Sequence, residues 1–501
     1  MNRLVLSSAL FGVLALVACA PKAPAPVEAP TASVPPPDPE AWRATRPAPG
    51  VERAWKAPAA TRFTLSNGLP VYLVPQGDLP LVSVRLWLGL GREANPAGKA
   101  GLVALTATML DEGTKTRDSA TIAADAARLG AELYVNAGDE STVVALDALT
   151  GDTLGPSLDL MADVVLRPRF DKKDFARVQG DVVAAIQAAA ADPNDVARRV
   201  FLAELYGAAH PYGTPAAGTV ASVKALKLAD VTKAYAQHFH AGNAALVVVG
   251  KLDEAAARAA LEPRFGAWKA QAPARAPVAA PAAPTALRVV FKEQPGAVQS
   301  ALRVGGFGPA RGAPEYWRDL VTVNLFGGMF SSRLNMALRE EKGWSYGAYA
   351  GLADSRDFGV FQARSNVQAD KTAESLQVIL DELAGQAARV PTDAEMTLVR
   401  DSLTKSLPGN FESNAATAQA FVNVPAYGLG ADAWQTFPAS VDAVDAAAVA
   451  AGSKARLDKA TMVAVVVGPR VAEVDDGKGG KTTIDVVASL RALGHTFVEV
   501  R

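Results

Sequence analysis

Residues 83–91 read SVRLWLGLG and residues 300–308 read SALRVGGFG. A second matched pair follows each: ALVVVG ends at Gly250 and VAVVVG ends at Gly468. The serines are offset by 217 and the glycines by 218. A spacing held to one residue over so long a stretch points to an internal repeat, which has to be weighed before any motif. Between its landmarks each half runs strand, glycine turn, helix, strand pair and then two long helical stretches. Strand pairs followed by runs of helix predict an α+β class. Two homologous lobes follow, each a mainly antiparallel sheet with helices packed on one face.

The bulk composition agrees with a large soluble domain pair. A chain of 501 residues is too long for one core. Its formal net charge of −1 gives no reason to expect a nucleic-acid partner, whose binders gather basic residues on one face. Four histidines limit any metal proposal, and a single cysteine excludes an internal disulfide. That cysteine is informative by position. Arg3, an apolar run from Leu4 to Ala18, and then Cys19 describe a secretory signal too short to span a bilayer permanently. LVAC, residues 16–19, resembles the lipobox of bacterial lipoproteins, so Cys19 is the expected lipidation site. Ala20 then points to an outer-membrane lipoprotein facing the periplasm. The predicted organisation is a signal peptide at 1–18, a Pro/Ala-rich spacer at 19–58, and a first domain at 59–271. A linker at 272–286 leads to a second domain with a C-terminal extension at 287–501. Prolines among alanines cannot bury a core, and both such stretches read as extended connectors.

Taken together, the landmarks resemble the insulinase/pitrilysin-type peptidases, family M16, and in particular the branch that includes mitochondrial processing peptidase. TLSNGLPVYLVPQGDLPLVSVRLWLGLGREANPAGKAGL (64–102) resembles the family's opening strand pair and turn. HPYGTPAAGTVASVKAL (210–226) resembles its internal segment, NAALVVVG (243–250) its closing strand, and LFGGMFSSRLNMALREEKGWSYGAYA (325–350) its second half. The resemblance implies two lobes of the M16 metallohydrolase type. In active members the first helix carries His-x-x-Glu-His, two zinc ligands and a general base. The equivalent stretch here, GLVALTATMLDEGT (101–114), has Ala104, Ala107 and Thr108 at those positions. The third ligand, a glutamate, aligns with Ala184 in DVVAAI, and Ala185 follows it. Alanine can neither ligate nor accept a proton, so no metal is expected on this chain.

One part of the family's machinery remains. Arg339 and Tyr346 have the spacing of its Arg/Tyr pair, which in active members faces the zinc across the chamber. Guanidinium and phenol are both donors, as a developing oxyanion requires. The competing possibility is that Arg339 pairs with Glu340 or Glu341 while Tyr346 packs in the core. By resemblance the chain is the zinc-free subunit of a periplasmic heterodimeric metallopeptidase. Its partner would be a zinc-bearing M16 subunit, and unfolded peptides would bind as an added edge strand. AELYVNAGDESTVVALDAL (131–149) alternates apolar and polar residues and is the candidate chamber-lining strand pair. The alternative is a stand-alone peptide- or protein-binding scaffold lipoprotein with no role in proteolysis. His238 and His240 are expected at a helix end, and His210 is expected to be structural. DDGKGGKTT (475–483) lacks the first glycine of a phosphate loop and is expected to be a hairpin turn.

Overall fold

The two valine-rich stretches that mark the repeat, AALVVVG at Ala244–Gly250 and VAVVVG at Val463–Gly468, are buried at every position. A strand apolar on both sides belongs inside a sheet that is covered on both faces. In the computed structural model each is an interior strand of a six-stranded mixed sheet. The structure describes residues 40–500 except 46, 49, 52–54, 272–274, 276–277 and 476–478. The expected signal peptide at 1–18, Cys19 and most of the expected spacer at 19–58 therefore lie outside the described residues. Residues 40–54 contribute one short 3-10 turn, Ala41–Ala44, and the chain from Trp55 onward forms a separate unit that holds both lobes. No helix of the described residues is long and apolar enough to cross a membrane.

The first sheet contains β1 (Thr61–Thr64), β2 (Pro70–Pro75), β3 (Leu81–Leu88), β4 (Glu132–Ala137), β5 (Thr142–Leu149) and β6 (Ala244–Gly250). Their spatial order is β1-β2-β6-β3-β5-β4. The second contains β7 (Arg288–Glu293), β8 (Gln299–Gly308), β9 (Ser345–Ala353), β10 (Gly359–Gln368) and β11 (Val463–Gly468). After the hairpin β12 (Val471–Asp475) and β13 (Lys481–Asp485), the chain adds helix Val486–Ala492 and β14 (Thr496–Val500). The second order is β14-β7-β11-β8-β10-β9. The two sheets match strand for strand except at one edge. There β14, parallel to β7, takes the place that β1, antiparallel to β2, holds in the first lobe. The tail after Gly468 is thus more than a hairpin and a helix, because Thr496–Val500 completes a sheet.

Register sharpens the repeat. Arg85 lies opposite Val247 and Arg303 opposite Val465, the same offset of 218 in both strands. Ala301, not Ser300, is therefore the structural counterpart of Ser83.

Side-chain alternation along β6 and β11 shows how the lobes are joined. Leu246 and Val248 pack into the first lobe's own core with Leu158, Leu261 and Phe265. Val247 and Val249 enter a core built with Val399, Phe421 and Phe437 of the second lobe. In the second lobe Ala464 and Val466 meet their own Leu376 and Ile379, while Val463, Val465 and Val467 meet Phe201 and Leu205 of the first. The lobes have exchanged equivalent helices: Asn414–Tyr427 lies on β3 and β6, and Pro193–Tyr206 lies on β8 and β11. Each sheet has its own helices on one face, and the other lobe covers the opposite face.

A polar junction fixes the exchange where two hairpin turns meet. Glu140, in the β4–β5 turn, accepts from the Tyr212 hydroxyl at 2.6 Å, Ser355 Oγ at 2.6 Å and the Arg356 amide at 2.9 Å. Arg356 also reaches Glu93 at 2.8 Å. The interdomain linker is tied down beside it. Arg275 Nη1 donates to Asp357 at 3.1 Å, and His210 Nε2 lies 3.0 Å from the Ala279 carbonyl. His210 Nδ1 accepts from the Tyr212 amide, so His210 has a structural bond at each ring nitrogen.

Candidate functional site

The helix expected to carry zinc ligands in a metallopeptidase spans Leu102–Thr108. It starts at Gly101, whose φ of +92° is in the left-handed region and whose Cβ would come within 2.6 Å of the Ala217 carbonyl oxygen. Only glycine fits that turn. Ala107 is packed away, Ala104 is half-buried and Thr108 is exposed. The Thr108 hydroxyl donates to the Ala104 carbonyl at 3.0 Å, a bond internal to the helix. Helix Lys172–Ala188 packs against this one, as does the edge strand β4. On it Ala184 is exposed, two turns beyond Arg177 on the same face. Arg177 pairs with Glu112, just past the first helix, and with Asp181 at 3.1 Å. Three methyl groups and one hydroxyl do not make a zinc site, since the ion takes thiolate, imidazole or carboxylate donors. Among the described residues no group of three or more His, Cys, Asp or Glu side chains converges. His238 ends helix Leu228–His238, and His240 Nε2 lies 2.9 Å from the Ala236 carbonyl.

Asp111 follows the same helix. Burial, with Glu112 as a like-charged neighbour, pushes its carboxyl up from 3.8 to about 6. Above that pH the native state holds an ionised group in a dry place; below about 4 both native and unfolded states are protonated. Stability attributable to Asp111 therefore falls as pH rises from about 4 to about 6. Asp111→Asn is expected to stabilise the chain by about 1–3 kcal/mol at pH 8 and to leave it unchanged near pH 4. Urea melts at the two pH values check this.

Tyr346 and Arg339 sit in the second lobe. Arg339 lies in the π-turn segment Met336–Glu341, and Gly343, at φ +66°, closes the helix before β9 begins. In β9, Ser345 pairs with Val367 and Ala348 with Ser365, which leaves Tyr346 and Gly347 opposite Asn366 alone. This is a β-bulge, the device by which a strand re-aims a side chain. Ser345 Oγ pins it, lying 2.7 Å from Ser365 Oγ and accepting from the Gly347 amide at 3.0 Å. The phenol of Tyr346 is consequently 90% exposed, not packed in the core. Arg339 is half-exposed; its Nε is 3.3 Å from Glu340, and its guanidinium lies over the Phe330 ring at 4.6 Å. The two side chains are not hydrogen-bonded to each other among the described residues.

Comparison with known proteins identifies the frame. Residues 76–219 match the insulinase (peptidase family M16) model, and residues 225–403 match the peptidase M16 inactive domain model. The chain belongs to peptidase family M16. A Mycobacterium leprae protein named an uncharacterized zinc protease is 28% identical over 70% of this chain and 79% of its own length. A solved peptidase M16 inactive domain from Pseudomonas fluorescens is 27% identical with a TM-score of 0.77, over 83% of this chain and all of that one. A protease from Helicobacter pylori shares the fold at 18% identity and a TM-score of 0.76, over 82% of this chain and all of that one.

The M16 motifs led to Arg339 and Tyr346 but not to the arginines around them. Tyr346 lines a groove that continues past Tyr349 and Arg364 along helix Pro193–Tyr206, with Arg198 on its wall. The two arginines belong to no motif. Setting the two halves side by side in register would have exposed one of them, because Arg364 occupies the place of Ala145 in the first lobe.

Proposed function

We propose that this chain is the zinc-free subunit of a two-chain M16 metallopeptidase, paired with a zinc-bearing M16 chain. The reading places it in the periplasm, held to the outer membrane through an acylated Cys19. One observation carries it: the family's zinc helix and ligand helix keep their packing while every ligand and base position, Ala104, Ala107, Thr108 and Ala184, lacks a donor for the metal. Tyr346, raised by its bulge into an open groove, is then free to donate to a substrate carbonyl. Arg339 can join it by leaving Glu340, since an exposed pair of this kind holds by about 0–1 kcal/mol. The edge strand β4 beside the emptied helix offers unpaired backbone groups to an unfolded peptide.

The test is metal analysis and peptidase assay of the purified chain, alone and mixed with a zinc-bearing M16 chain from the same cell. Alone, it is expected to hold no stoichiometric zinc and to cut nothing; the mixture is expected to cleave. Stoichiometric zinc on the single chain, or cleavage by it unaided, overturns the reading. The engagement of Arg339 by Glu340 and Phe330 favours a second reading, a peptide-holding scaffold without proteolysis. In that case the mixture stays inactive while the single chain still binds peptides.

A further inference from the structure

The two lobes carry the same cross-strand row, and comparing them within one molecule reveals a charge imbalance. In the first lobe the row is Val247, Arg85, Ala145 and Tyr134. In the second it is Val465, Arg303, Arg364 and Tyr349. Both rows face the helix lent by the other lobe. Arg85 is buried and neutralised by Asp147 through two contacts, at 3.0 and 3.1 Å. Register puts Asn366, a neutral residue, where Asp147 stands.

Arg303 consequently has no carboxylate. It is 7% exposed and donates to Gln362 at 2.6 Å and to the Asn194 carbonyl at 3.2 Å. Burial and the neighbouring Arg364 and Arg198 push its pKa down to about 10, against a smaller opposing pull from the carboxylates of Asp195 and Asp192. Arg198 is drawn toward Asp195 at 3.6 Å, but exposed Arg364 has no ion-pair partner among the described residues. The acids at the far end of the groove are already engaged: Glu140 by Tyr212 and Ser355, Asp139 by Arg92, and Asp354 by Arg311 and Tyr316. Arg364 thus lines the middle of the groove that contains Tyr346, in register with the buried Arg303 on the next strand, and neither arginine has an ion-pair partner among the described residues.

We propose that this groove selects acidic segments of an extended polypeptide, with a Glu or Asp side chain pairing with Arg364 above the buried charge of Arg303. The inference rests on the reading of the chain as a peptide-holding subunit and names the class of peptide it prefers. An extended ligand fits because β9 is the free edge of its sheet. A carboxylate supplies what Asp147 supplies in the first lobe, a counter-charge in a partly dry setting where charge-assisted hydrogen bonds are strongest.

Fluorescence anisotropy on the purified full chain tests it. The probes are labelled, C-terminally amidated, unstructured peptides identical except for a central Glu-Glu, Gln-Gln or Lys-Lys. The Glu peptide is expected to bind about tenfold tighter than the Gln peptide, the size of one charged hydrogen bond. The Lys peptide should be weakest, and the preference should shrink as salt rises. Arg364→Gln is expected to erase the difference, chiefly by weakening the Glu peptide, and Arg491→Gln, just before β14 at the opposite edge of the same sheet, is expected to keep it. Equal affinities for the Glu and Gln peptides, or a preference that survives Arg364→Gln, overturn the subsite and leave peptide holding intact. A gain seen only when the Gln peptide carries a free C-terminal carboxylate also overturns the side-chain assignment. Failure of every peptide to bind overturns the underlying reading as well.

Discussion

Tyr346→Phe in the proposed two-chain peptidase is expected to lower kcat by roughly ten- to a thousand-fold with little change in KM, the pattern of a lost oxyanion donor. The substitution removes one hydroxyl from a side chain that is 90% exposed and supports no core, so the fold and the partner interface should survive it. That separates a chemical role from a structural one. An oxyanion donor strengthens its bond only as negative charge develops on the carbonyl oxygen, which is why the loss should fall on kcat. Arg339→Ala is a less clean probe, because it also strips the guanidinium from the Phe330 ring and frees Glu340. Steady-state kinetics of the reconstituted pair decide the matter. Wild-type turnover with Tyr346→Phe would remove the role assigned to the phenol.

Much of the architecture is legible in the sequence, for a physical reason. A repeated strand with both faces buried has to be apolar throughout, so ALVVVG and VAVVVG announce themselves and their spacing. The exchanged helices were not legible. Pro193–Tyr206 shows an ordinary amphipathic pattern, which says that a face is buried but not against which lobe, and Asn414–Tyr427 is apolar with little facial preference, which says even less. Strand β14 is not legible in the sequence, because five residues in a long tail give too short an alternation to be distinguished from an extended segment. At the site, Ala104, Ala107, Thr108 and Ala184 stand out in the sequence because zinc chemistry tolerates so few residue types. The bulge at Tyr346 was not, since it depends on a one-residue mismatch between β9 and β10 that only pairing reveals. Arg364 was invisible for a similar reason: an arginine in a strand carries no signal until its neighbours and their charges are known.

The exchange of helices makes a strong demand on how the molecule unfolds. Phe201 is fully buried on a first-lobe helix but packs on the second lobe's sheet, where a Cβ on Gly305 would come within 3.1 Å of its ring. Phe421 is its opposite number, fully buried on a second-lobe helix against the first sheet. Truncating either to alanine leaves a cavity the size of a ring, and each change is expected to cost about 3–5 kcal/mol. Because each helix belongs to one lobe and covers the other, the damage cannot stay local. Phe201→Ala should weaken the first lobe as much as the second, and Phe421→Ala the second as much as the first. Urea unfolding followed by far-UV circular dichroism, and by a single tryptophan retained in one lobe at a time, should give coincident transitions shifted together. Two transitions, with only the lobe that contacts the missing ring destabilised, would mean that the lobes fold independently and that the lent helices merely rest on their hosts.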